Sequence, residues 1–245
     1  MTLLRADRIQ RLELFEGEDT CDLIHVIQDS FGMEFTSDEL IAAETVGQLS
    51  EIISIKSTHA RSERCLSAIV FYRLRRAFTE LFQSSRAQVR PDTRLEEFLP
   101  WTERRSRWRR LQGHLGLVLP RLAAPTWLLC SALVASVAVA WAYARRFPHL
   151  TAGGLVTGVV WFLAFFLLVR LLSPFVRTLP RACGTVGELA KVTLARNYDR
   201  IATEVGGSSR PEILSALRQL IAVETGRKSE EILAQTAFPE GLNIH

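Results

Sequence analysis

Four residues near the start of the chain are of types that exchange protons: Glu18, Asp19, Asp22 and His25 stand within eight residues. A carboxylate and an imidazole within hydrogen-bond reach can serve as general base and acid. The same four, on a helix, equally make a solvated face. No nucleophile is paired with them, so the solvated face is the reading taken here. The other titratable groups are more scattered. Cys21, Cys65, Cys130 and Cys183 form no CxxC pair, and the five histidines form no HxxxH or HExxH. They read as free thiols and isolated imidazoles, with His114 on a helix surface and His149 in a link. No glycine-rich phosphate loop, GxSxG or zinc signature is present. The sequence therefore predicts no enzyme, no cofactor and no metal.

A second group carries charge without acid–base chemistry. Arg104, Arg105, Arg107, Arg109 and Arg110 crowd one stretch, with Trp101 and Trp108 interleaved. Arginine with aromatics can serve phosphates and bases. This cluster, however, stands just before a long apolar run, where it reads as a basic collar at a membrane surface or as a solvated face that only sets topology. Ser106 lies among the arginines. No nucleic-acid partner is expected.

The elements that hold these groups follow from charge and hydropathy. The 245 residues carry a net charge of +4 and are 48% hydrophobic. Acidic residues dominate from Glu13 to Glu51, and arginines dominate from Arg104 to Arg121. The first residues, MTLLRADRIQRLELF, lack the apolar core of a secretory signal. Two runs contain no charge: PTWLLCSALVASVAVAWAYA (Pro125–Ala144) and AGGLVTGVVWFLAFFLLV (Ala152–Val169). Each has about the length needed to cross roughly 30 Å of hydrocarbon as a helix. Trp127, Trp141 and Tyr143 lie near the ends of the first run, where amphipathic rings favour the interface. The short link ARRFPHLT makes the pair a tight hairpin. Gly154 and Gly158 form a GxxxG, and Ser131, Ala135, Ala138 and Ala142 put small side chains on one side of the first helix. Contact within the hairpin and contact between two chains are both open uses. Both flanks are richer in arginine than the link, which places both termini in the cytoplasm.

Around the hairpin the chain repeats itself. TVGQLSEIISIKS begins at Thr45 and TVGELAKVTLARN at Thr185. Ser62–Phe82 and Arg210–Gly226 both space apolar residues as helices do. They are followed by the related loops VRPDTRLEEFLP, from Val89, and ILAQTAFPEGLN, from Ile232.

The segment DLIHVIQDSFGMEFTSDELIAAETVGQLSEII resembles the second half of an acyl carrier protein, with Phe31–Gly32 ending its helix II, Ser37–Leu40 opening helix III and Thr45 capping helix IV. ILSALRQLIAVETGRKSEEILAQTAFPEGLNI resembles the first half: helix I, then the long loop. A second copy would run through the middle. Ser62–Phe82 is its helix I, Arg104–Pro120 its helix II with Leu115–Gly116 as landmark, and the hairpin sits where helix III belongs. The expected organisation is all-α. Residues 1–60 hold helices II–IV of an outer unit, 61–124 helix I to helix II of a central unit, and 125–172 the transmembrane hairpin. Residues 173–205 return to helix IV, and 206–245 complete the outer unit within the chain or from a neighbouring chain. About 40 residues is too few for either outer half to fold alone.

The resemblance implies a serine at the start of helix II that carries phosphopantetheine. Its positions here hold Gly17 and, approximately, Trp101, with Thr102 adjacent. What remains is a multi-pass membrane protein used as a cytoplasmic scaffold, docking partners through Glu16, Glu18, Asp19 and Asp22. The alternatives are an accessory role in acyl or peptidyl transfer and a small transporter or channel subunit. The expected partners are membrane lipids, then acyl-transfer enzymes or another carrier protein, or a second copy joined through complementary terminal halves.

Overall fold

The computed structural model describes residues 18–57, 65–122, 126–146, 155–172, 178–180 and 182–238. Their regular structure is helical, and two isolated antiparallel bridges take the place of strands. The chain divides into two units. One gathers 1–100, 106–120 and 180–245; the other holds 101–105 and 121–179.

In the first unit, α1 (Glu18–Phe31), α2 (Ser37–Ala42) and α3 (Val46–Lys56) come from the N-terminal stretch, and α4 (Leu66–Phe82), α5 (Leu95–Phe98) and α6 (Arg104–Leu115) follow. After the hairpin come α9 (Val186–Arg196), α10 (Tyr198–Val205) and α11 (Arg210–Thr225). Helix α4 buries Leu66, Val70, Leu74, Ala77 and Phe78, a stripe at helical spacing. Helix α9 is buried nearly all round, through Val186, Leu189, Ala190, Val192, Leu194 and Ala195, because α1, α4, α10 and α11 all pack on it. Burial of this kind contributes about 25 cal/mol per Å² of apolar surface.

Thr45 and Thr185 each form a capping box, their hydroxyls accepting from the amides of Gln48 and Glu188 while those side chains accept from the threonine amides. Each phrase also clasps a loop. The Val46 and Gly47 amides donate to Thr236 O at 3.1 Å and Ala234 O at 2.7 Å; those of Val186 and Gly187 donate to Thr93 O at 3.0 Å and Pro91 O at 2.8 Å. The bridges Thr45–Ala237 and Arg94–Thr185 complete them. Inside each loop a threonine hydroxyl accepts an amide three residues back, Leu233 to Thr236 and Arg90 to Thr93. The segment after α11 thus closes on the N-terminal stretch of the same chain.

One expected helix is two. After α9 the chain turns at Asn197, whose side-chain amide donates to Thr193 O at 2.7 Å. It thereby competes with the helix for a carbonyl, and α10 starts on a new axis.

In the second unit, α7 (Thr126–Arg146, 21 residues) packs against α8 (Leu155–Leu172, 18 residues). Pro125, residues 147–151 of the link and Gly154 fall outside the described residues, while Ala144, Arg145 and Arg146 of the link close α7. Among the described residues no helix is long and apolar enough to cross a membrane, and described side chains cover 130–146 of α7 and 156–170 of α8. The seam against α8 is Ala132, Ser136 and Ala140, all buried, with Ser136 Oγ donating to Leu133 O. Ser131, Ala135, Ala138 and Ala142 are exposed instead. Among the described residues a Cβ at Gly158 would meet nothing within 4 Å, so no close contact between described parts of α7 and α8 requires this glycine. The seam follows a plain i, i+4 ridge of small residues, which lets the backbones approach.

The clasps make a sharp prediction about glycine. A Cβ at Gly47 would lie 2.9 Å from Ala234 O and one at Gly187 2.8 Å from Pro91 O, whereas one at Gly113, within α6, would meet nothing within 4 Å. Gly47→Ala and Gly187→Ala should each destabilise by about 1–3 kcal/mol through overpacking. Gly113→Ala should stabilise by roughly 0.5–1 kcal/mol through helix propensity. Urea denaturation followed by circular dichroism reads all three.

Candidate functional site

The charged helices α1 and α6 carry the candidate residues. Helix α1 buries Leu23, Ile24, Ile27 and Phe31 and turns Asp22, His25 and Asp29 outward. Glu16 and Gly17 lie outside the described residues, while Glu18 and Asp19 occupy the first turn of α1. Among the described residues Asp22 and His25 engage in no hydrogen bond or ion pair, and no group of three or more His, Cys, Asp or Glu could hold a metal. Of the acid–base types named from the sequence, Asp22 and His25 are thus exposed side chains.

Helix α6 sorts its cations by position. Trp108 is core: it is 4% exposed, and its indole N–H donates to Pro120 O at 3.2 Å. Arg107 donates to Phe98 O at 2.8 Å, with its guanidinium 5.3 Å from the centre of the Phe82 ring. Arg104 is buried and lies 5.4 Å over the Trp101 ring. Arg105 is half-buried, while Ser106, Arg109 and Arg110 are exposed, as are Trp101 and Thr102 ahead of the helix. His114 reaches Glu80 of α4 at 3.0 Å.

Both helices end alike. Gly32 follows α1 at φ +63° and Gly116 follows α6 at φ +62°, the left-handed conformation that glycine adopts without strain. Both ends meet the start of α10. A Cβ at Gly32 would lie 2.7 Å from the Asp199 carboxyl carbon, and the Phe31 and Tyr198 rings stand 4.9 Å apart. Arg200 donates to Gly116 O at 2.6 Å, and the Asn197 side chain pairs with both N and O of Val118 at 2.9 Å. Glu204 accepts from Arg73 at 2.7 Å and Arg200 at 3.3 Å, and these partners, Arg73 first, hold its carboxyl below the usual range. The NYDR tetrapeptide at 197–200 was missed in the sequence. Its signal was an asparagine followed by adjacent opposite charges.

The thiols stay apart. Cys65 and Cys130 are exposed, Cys21 is half-buried, and Cys183 is buried, its pKa pushed up to about 12 mainly by burial and then by Glu188. A thiol so shifted is not a nucleophile near neutral pH.

Asn197 is the piece whose loss should be felt. Asn197→Ala strips Val118 of partners for both backbone groups, at a cost of about 1–3 kcal/mol. A guanidinium melt should show that loss, with the amide resonances of 116–119 shifting most.

No family model, curated protein or solved structure matches this chain.

Proposed function

We propose that the chain is a membrane-anchored docking module: an acyl-carrier-like helical unit without a phosphopantetheine arm, carried on a two-helix hairpin. The observation that carries it is the outer surface of that hairpin. Val134, Val137 and Trp141 on α7 and Phe162, Leu163, Phe166 and Leu167 on α8 are each more than half exposed. Such a band of large apolar side chains needs a cover, and the hydrocarbon of a bilayer supplies one. Arg145, its guanidinium 3.9 Å over the Trp141 ring, marks one end of the band, and Arg170 lies in the last turn of α8. The arginines before α7 and after α8 favour cytoplasmic termini. Arg109 and Arg110 would meet anionic headgroups.

The carrier-like reading is supported by two helix-to-glycine landmarks and two clasped TVG turns in the order the resemblance implies. The docking role follows from Gly17 and Trp101 at the positions where that resemblance calls for a serine. The outward carboxylates of α1, Asp22 among them, then offer a face for a basic partner, such as an acyl-transfer enzyme.

Purified protein incubated with coenzyme A and a broad-specificity phosphopantetheinyl transferase should keep its intact mass. Gain of a pantetheine arm would replace docking with carrier function. Membranes containing the protein should retain it through an alkaline carbonate wash, and release into the wash would remove the hairpin from the bilayer.

A further inference from the structure

We infer that the acidic face of α1 and the basic face of α6 bind each other between two copies of this chain. That pairing rests on the docking reading above, with a second copy as the basic partner of α1.

The two helices are single-signed. The 14 residues of α1 hold four carboxylates and no lysine or arginine. The 12 residues of α6 hold five arginines and no carboxylate. Their exposed positions also correspond. Asp22, His25 and Asp29 stand ten, seven and three residues before the closing Gly32. Ser106, Arg109 and Gly113 stand at the same distances before Gly116. All six are exposed, and so is Arg110 beside them. The same stripe thus presents carboxylates on one helix and guanidinium groups on the other.

Neither stripe is neutralised within the chain. Among the described residues Asp22, Asp29, Arg109 and Arg110 make no ion pair. Elsewhere in the unit exposed carboxylates do find cations: Glu39, Glu80 and Glu204 pair with Lys56, Arg76 and Arg73 at 2.7–2.8 Å. Both charged helices end at the start of α10, on Asp199 and Arg200, and turn their stripes away from the core. A second copy brings to each stripe the one of opposite sign, so the contact joins unlike faces, α1 of one copy to α6 of the next.

Exposed ion pairs are individually weak and are screened by salt. The contact therefore needs a high local concentration. Anchoring in one bilayer supplies it, as a short tether does, because neighbours need no free search through solution. Anionic headgroups would compete for Arg109 and Arg110, so the pairing is strongest over a neutral bilayer.

The test uses the full chain, with donor- and acceptor-labelled copies in vesicles of neutral phosphatidylcholine, read by energy transfer. Wild type should transfer energy above the level of random neighbours, and the excess should vanish at about 1 M salt, where the screening length is roughly 3 Å. Asp22→Arg with Asp29→Arg makes both faces basic; Arg109→Glu with Arg110→Glu makes both acidic. Each of these variants alone should lose the excess. Mixed together they should regain it, because each offers the face the other lacks, and a chain carrying all four changes should pair as wild type does. No excess in wild type, wild-type transfer in either variant alone, or no recovery in the mixture would overturn the inference. Vesicle flotation reads the anchor separately. Copies that float without pairing overturn the pairing alone; copies that stay behind overturn the anchor, and sedimentation of the same mixture at about 1 mM then reads the pairing.

Discussion

The whole helical unit depends on a close approach of backbone to backbone. At Gly47 and Gly187 a loop carbonyl comes within 2.7 and 2.8 Å of a glycine amide at the first turn of a helix. The approach is open only to a residue without a side chain. It satisfies an amide that the helix itself cannot use and ties a distant loop to that helix. Because one of these loops follows α11 and the other follows α4, the contacts lock together segments nearly 190 and 100 residues apart. Neither terminal stretch has enough apolar surface for a core of its own; α3 finds its partner in α11, and α1 and α11 pack on each other and on α9.

Charge is distributed on a different principle from packing. Helices α1 and α6 end in the same way, on left-handed glycines that face Asp199 and Arg200 respectively. Their outward faces are nevertheless opposite in sign: Asp22 and Asp29 on one, Arg109 and Arg110 on the other. A packed interior constrains shape closely and surface charge hardly at all, so two helices with the same seat can present different faces to different partners.

Much of this was legible in residue types. Thr45 and Thr185 announced helix starts because a hydroxyl with Gln or Glu three residues on satisfies two orphan amides at once. Gly32, Gly116 and Gly226 announced helix ends. The break at Asn197 was not legible, because the apolar pattern of α9 runs on through Tyr198 and Ile201 and only the carbonyls taken by Asn197 reveal the turn. The hairpin seam was ambiguous for a related reason: Ser131/Ala135/Ala138/Ala142 and Ala132/Ser136/Ala140 are both small, and composition cannot choose between adjacent stripes. Trp108 read as a surface aromatic among arginines, yet its ring fills the core.

Hydrogen exchange at the Gly47 and Gly187 amides tests the double closure most directly. If both turns clasp their loops within one chain, the two amides exchange only through global unfolding of the helical unit, with matching protection that does not change on dilution. Exchange of Gly47 at the rate of an open loop, or protection that rises with protein concentration, would mean that the N-terminal stretch is not held by the segment after α11 of its own chain.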